Sequence, residues 1–317
     1  MNKAIETAIL KTFAYFSQFS CPLTRQEVFQ FLWVDSGEAY SRKEVSAVLT
    51  ALTERGTICL EDGYFVLKGN ESHIAVRMNR SHIIEHKMRI AKRSARVFAW
   101  IPHISAVFVC NQLQTGITEQ SDIDVYIVVK PGYLWVTRLI TTVLMSGFGL
   151  RRHSKCVADH ICLSFFVTSD VINLKPIAID ETDVYLRYWN MQLIPMYDPY
   201  SVHEEILSAN AWASTTLPHA AVPWKTAAVW SSGKGVVAHK VKRFFEIAWT
   251  GPYGKIMETQ AKGIQTKKMQ RNAASKQDQD TSDVIISDQM MKFHENDRRA
   301  MFQEQWKKNY AILLKEL

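Results

Sequence analysis

The chain has 317 residues, of which 47% are hydrophobic and 22% charged, a balance that excludes intrinsic disorder and suits two or three folded units. A formal net charge of +7 and an isoelectric point near 9.1 suit a polyanionic partner, either a nucleic acid or a nucleotide. The five cysteines (Cys21, Cys59, Cys110, Cys156 and Cys162) are scattered and form no Cys-x-x-Cys pair, so buried thiols are expected rather than a disulfide framework or a zinc site.

The first residues, Met1-Asn2-Lys3-Ala4-Ile5-Glu6, lack the basic and apolar regions of a signal peptide. The most apolar stretch, Leu134 to Leu150, is interrupted by Arg138, Gly147 and Gly149, and falls short of the ~20 clean residues of a membrane span. The expectation is a cytoplasmic protein with no membrane partner.

Taken in chain order, Ile5, Ala8, Ile9, Phe13 and Phe16 have helical spacing. Two capping boxes follow, Thr24-Arg25-Gln26-Glu27 and Ser41-Arg42-Lys43-Glu44, in which a hydroxyl covers the N3 amide and a glutamate reaches back. The second opens a helix with Val45, Val48, Leu49 and Leu52 on one face, ended by Gly56. Residues 57–60 and 64–67 flank an Asp-Gly turn, which predicts a hairpin. Three helices and a hairpin are the layout of a winged helix over 1–70. Its third helix would expose Arg42, Lys43, Ser46 and Thr50, suited to phosphates and base edges in a major groove; a protein-docking role uses the same layout.

A long helical pattern runs from Ser72 to Trp100, and residues 71–103 read as a connecting basic helix. Its apolar face carries Ile74, Met78, Ile84 and Met88; Arg77, Arg80, Lys87, Arg89, Lys92, Arg93 and Arg96 populate the remainder. It is either a solvated connector or a basic rail for nucleic acid. Residues 104–215 then alternate strand and helix. Ile104 to Cys110 is a β-branched apolar run, a polar loop from Asn111 to Gln120 follows, and Ser121-Asp122-Ile123-Asp124 opens a second apolar strand. Two aspartates two apart in a strand project from the same face. Close carboxylates repel unless a cation lies between them, and hard ions such as Mg²⁺ accept such oxygen ligands while leaving room for phosphate.

This order of strand, polar loop, Asp-x-Asp and strand resembles the signature of the nucleotidyltransferase superfamily that includes DNA polymerase beta and the minimal nucleotidyltransferases. Ser121-Asp122-Ile123-Asp124 carries the resemblance. Ile101-Pro102, Lys130-Pro131-Gly132, Ile161 to Phe166 and Ala209 to Trp212 extend it towards predicted bacterial and archaeal members. The resemblance implies a mixed-sheet α/β core. It also implies metal ligation by Asp122 and Asp124, Mg²⁺ as cofactor, and a nucleoside triphosphate whose monophosphate moves to a hydroxyl acceptor. A third carboxylate usually assists from a later strand. Asp159 is the candidate, ahead of Asp170 and Asp180. Where the family has Gly-Ser, this chain has Cys110-Asn111, which with Ser121 forms the expected nucleotide-binding set. That departure leaves a second reading open, a catalytically inactive relative acting as a DNA-binding, nucleotide-sensing regulator.

Beyond this core, Ile177 to Gln192 reads as a Tyr- and Trp-rich helix, Pro218 and Pro223 mark a linker, and residues 216–317 read as a helical, basic region. Within it, Ala273 to Ser282 is a polar loop and Ser287 to Leu314 a helical stretch.

Overall fold

A computed structural model describes residues 2–35, 37–111, 116–153, 155–220, 235–270, 284–293 and 297–315. Helices α1 (Lys3–Ser17), α2 (Arg25–Gln30) and α3 (Arg42–Glu54) come first, together with β1 (Leu23–Thr24), β2 (Ile58–Glu61) and β3 (Tyr64–Leu67). The strands form a small antiparallel sheet in the order β1-β3-β2. Both capping boxes are present: Thr24 covers the Glu27 amide and Ser41 the Glu44 amide, each glutamate returning to the cap residue's own N–H. Asp62 and Gly63 both lie at positive φ, 50° and 80°, the backbone of a type I′ hairpin turn.

These first elements do not close a core by themselves. Their buried residues share one cluster with Val184, Tyr188 and Met191, with Ala213, Leu217 and Ala220, and with Trp306 and Leu313. Tyr188 stacks on Tyr15 at 4.2 Å and donates its hydroxyl to the Phe31 carbonyl at 3.0 Å. Near the other end of the chain, Trp306 donates its indole N–H to the Lys11 carbonyl at 2.9 Å.

Helix α4 (Ser72–Phe98) runs from the hairpin to the main sheet. That sheet holds β4 (Ile104–Val109), β5 (Ile123–Val129), β6 (Ile161–Thr168), β7 (Ile194–Tyr197), β8 (Val284–Ile286) and β9 (Met290–Phe293), in the order β7-β4-β5-β6-β9-β8. β5 and β6 are parallel, joined across α5 (Leu134–Gly147); the other neighbours are antiparallel. Side-chain alternation along the strands builds two cores. Val107, Val109, Ile123, Val125 and Ile127 face α4 and α5, whereas Ala106, Phe108, Tyr126 and Val128 face α6 (Val184–Met191) and α7 (Val202–Ala209). The short α8 (Ala211–Ser214), then α9 (Val236–Ala248), α10 (Pro252–Gln270) and α11 (Arg299–Lys315) complete the described elements. No helix among the described residues is long and apolar enough to cross a membrane.

The expectation of one helical stretch from Ser287 to Leu314 is corrected. Met290–Phe293 is a strand on the edge of β6, and α11 begins only at Arg299. Met290 and Met291 fill opposite cores, a period of two that a short apolar run does not distinguish from a helical turn. The region 216–317 therefore adds two strands to the main sheet besides its helices. The helix expected from Ile177 starts instead at Val184, where Asp183 caps it by accepting the Leu186 N–H at 3.0 Å. Pro223 and the polar stretch Ala273 to Ser282 lie outside the described residues.

Candidate active site

Asp122 and Asp124 share the parity of Tyr126 and Val128, so both carboxylates open towards α6, at the start of β5 where Ile123 is anchored in the opposite core. Asp124 stands opposite Cys162 in the parallel β5–β6 register, just before a β-bulge. Ligand atoms of Asp122, Asp124 and Cys162 all lie within 4.8 Å of one another, the one such triad of potential metal donors among the described residues.

Each member of this triad has protein partners. Asn111, at φ 65°, donates its side-chain N–H to Asp124 Oδ2 at 3.2 Å and accepts the Tyr185 hydroxyl at 2.9 Å. Arg152, in the turn before β6, donates to Asp122 Oδ2 at 2.7 Å and reaches Cys162 Sγ at 3.5 Å. Burial, then repulsion from Asp122, raises the Asp124 carboxyl above the usual carboxylate range, against the hydrogen bonds from Asn111 and Cys162. Burial and the two neighbouring aspartates push the Cys162 thiol up to about 12.

Asp122 and Asp124 fit one hard divalent ion, being two oxygen donors at an open strand end. The third donor is sulfur, and hard ions prefer oxygen in that place. Asp159, expected as the third carboxylate, is not one of the three clustered donors and lies in a left-handed turn at φ 61°, its N–H on the Ser121 carbonyl at 3.2 Å. Its carboxylate accepts from Lys87 Nζ at 2.7 Å and lies 3.2 Å from His86 Nε2. Burial pulls this carboxyl up, but Lys87 and His86 outweigh it and hold it below the usual range.

Lys87, one of the basic residues of α4 that read as either a solvated connector or a basic rail, is neither: it is fully buried. Besides Asp159, its ammonium donates to the carbonyls of Ser121 at 2.6 Å and Glu119 at 3.2 Å. It thereby clamps the segment that leads into Asp122. Arg77 and Arg80 are likewise engaged internally, Arg77 with Glu27 at 2.7 Å and Arg80 with the Phe19 carbonyl at 2.6 Å.

Of the expected nucleotide-binding set, Cys110 turns its side chain into the core beneath α6, and burial lifts its thiol far above its ordinary range. The Ser121 hydroxyl accepts the Thr118 N–H at 3.0 Å, tightening the loop. Asn111 and Ser121 both line a cavity of about 520 Å³ between α1, α4, α6, β9 and α11. Arg80, Lys292, Arg298 and Arg299 bring positive charge to its wall, and Phe19, Tyr185, Trp189 and Phe302 bring rings. Lys292 and Arg299 are held by Asp297 at 2.9 and 2.8 Å, and among the described residues Arg298 makes no ion pair. Arg42, Lys43 and Thr50 are exposed along α3 and Ser46 is half-buried; the Arg42 guanidinium lies over the Phe29 ring at 5.2 Å.

Sequence reasoning missed Arg152, Cys162, Tyr185 and Lys87 as members of the site. Only the Asp124–Cys162 pairing had a local signal, since both residues sit near the start of consecutive strands. Comparison with protein-family models, curated proteins and solved structures finds no match for this chain.

Proposed function

We propose that this chain is a nucleotidyltransferase that moves a nucleoside monophosphate from a nucleoside triphosphate to a hydroxyl acceptor, with Mg²⁺ as cofactor. The observation that carries the reading is the carboxylate pair Asp122 and Asp124 at an open strand end, next to a 520 Å³ cavity lined by cations and rings. A divalent ion bound by the two aspartates would supply charge neutralisation at the phosphates and at the leaving pyrophosphate. The protein's part is positioning. Asn111 holds Asp124 with its amide N–H, and Tyr185 fixes the orientation of that amide. Lys87 fixes the backbone that leads into Asp122. In the cavity, Arg298 and Arg80 suit phosphate oxygens, and Tyr185 and Phe302 offer ring faces for a base. The three helices and small sheet at the N-terminus suit a winged helix, with Arg42, Lys43, Ser46 and Thr50 turned to a nucleic-acid or protein partner.

One observation favours a second reading. Arg152 already sets a positive charge against Asp122 and beside Cys162, in a site whose third donor is not a carboxylate. A catalytically inactive relative that senses a nucleotide and binds DNA would retain this arrangement.

The experiment is calorimetric titration of the four ribonucleoside triphosphates, with Mg²⁺ and with chelator, into the wild type and the Asp122→Asn/Asp124→Asn variant. Metal-dependent binding that disappears in the variant is the expected result. No binding of any of them at millimolar concentration would sink both readings at this site. Binding without pyrophosphate release under any acceptor screen would select the sensor, whose DNA contact is then tested by the salt dependence of duplex binding with Arg42→Ala/Lys43→Ala.

A further inference from the structure

Helices α9 and α10, joined through residues 249–251, expose apolar side chains and bury charged ones. On α9, helical stepping puts Val237, Phe244 and Ile247 on one side with Lys240 and Arg243, and Ala238, Lys242 and Glu246 on the other. The apolar side chains are on the outside: Val237 is 65% exposed, Phe244 66% and Ile247 61%, followed on α10 by Tyr253 at 56% and Ile256 at 54%. Three charged side chains point inward instead. Lys242 is fully buried, donating to the Ile104 carbonyl and to the Tyr197 hydroxyl at 3.1 Å. Glu246 accepts from Lys130 Nζ at 2.8 Å and from the His103 N–H at 3.0 Å. Glu258 takes the Trp135 and Val136 amides at 2.8 and 2.9 Å, covering the first turn of α5. The corner is close-packed, since a Cβ on Gly254 would lie 1.8 Å from the Trp249 carbonyl oxygen and 3.2 Å from the Tyr133 ring.

The consequence is a charge pattern of one sign. Glu246 and Glu258 are the only acids between residues 235 and 270, and both are turned into the protein. Every exposed charge over that span is positive: Lys240, Arg243, Lys255, Lys262, Lys267 and Lys268. Of these, Lys262 pairs with Asp288 at 2.6 Å. Exposed aliphatic and aromatic side chains interleaved with lysine and arginine are what an anionic lipid surface accepts: the apolar groups enter the boundary beneath the headgroups and the cations stay among the phosphates. A nucleic acid would satisfy the cations but has no use for Val237, Ile247 and Ile256, which do not stack on bases.

We propose that the exposed face of α9, continued by the start of α10, docks this protein on the surface of an anionic lipid bilayer, lying in the interface without crossing it. The test is co-sedimentation of the full chain with vesicles of phosphatidylcholine alone and of phosphatidylcholine mixed with phosphatidylserine. Binding is expected to the mixed vesicles, to fall with added salt, and to be weak on pure phosphatidylcholine. With each basic residue near the surface worth about a fivefold change in partition, Lys240→Glu/Arg243→Glu weakens binding more than tenfold. Phe244→Asp/Ile247→Asp, at exposed positions that leave the fold and its circular dichroism unchanged, also abolishes it. Absence of binding to the mixed vesicles overturns the proposal, as does binding that both variants retain. Loss of duplex DNA binding or of self-association in these variants, with no vesicle binding in the wild type, would assign the face to nucleic acid or to a second copy and overturn it equally.

Discussion

Replacing Lys87 with methionine isolates the clamp behind the carboxylate pair. Methionine keeps the stem volume in the buried channel and removes the ammonium, which donates to the Ser121 carbonyl, the Glu119 carbonyl and Asp159. Two carbonyls lose their charged donor, at about 1–3 kcal/mol for each that stays dry. Asp159 loses its partner at smaller cost, because its side chain is 38% exposed and water reaches it. The sum comes to about 3 kcal/mol, the lower end of the ~3–5 kcal/mol for removing one partner of a fully buried pair. At a urea slope of ~3 kcal/mol/M the unfolding midpoint falls by about 1 M. The local consequence is read by hydrogen exchange at the amides of Ile123 and Asp159, which bond to the His160 and Ser121 carbonyls at 2.9 and 3.2 Å. If the loss is local, their exchange speeds up about a hundredfold while that of β4 stays unchanged. A midpoint shift under about 0.3 M, with unaltered exchange at these two amides, refutes the clamp.

The remaining predictions concern charge and burial. His103 is 2% exposed and stacked on Tyr133 at 3.7 Å; burial lowers its imidazole to about 4, against a weaker opposing pull from Glu246. The folded state thus binds this proton less readily than the unfolded chain. The associated stability is complete above pH 6.5 and is lost as the pH falls from 6.5 towards 4, by about 3 kcal/mol in all. His103→Asn, which tolerates the φ of 64°, flattens urea midpoints across that window; an unchanged slope would exclude His103 as its source. Arg299→Met leaves the fully buried Asp183 without the guanidinium that donates to it at 2.8 Å, a loss of about 3 kcal/mol. It is read as a urea midpoint about 1 M lower, and a shift near zero would mean that the Ile179 and Leu186 amides suffice for Asp183. Cys21, Cys110 and Cys162 are buried, and burial pushes the Cys21 thiol up to about 11, so an aromatic disulfide reagent titrates only Cys59 and Cys156 quickly and all five cysteines after denaturation. Rapid modification of Cys162 would show that the carboxylate cluster opens to solvent.

Local chemistry made part of this protein legible in its sequence. Thr24-x-x-Glu27 and Ser41-x-x-Glu44 start helices because a hydroxyl and a carboxylate three residues apart satisfy amides within their own turn, whatever surrounds them. Asp62-Gly63 turns a hairpin for the same reason, and the period of two puts Asp122 and Asp124 on one face wherever the strand lies. What each side chain meets across a gap was decided by the tertiary structure alone. Met290 and Met291 became a strand because the edge of β6 was there to pair with them. Lys87 became buried because α4 brings its ammonium onto Asp159 in the turn before β6. Cys162 reached Asp124 through the parallel register, and Arg152 reached Asp122 through the path of the chain between α5 and β6. Periodicity encodes which face a residue is on, but the partner on that face comes from another part of the chain, and its position follows only from how the layers pack.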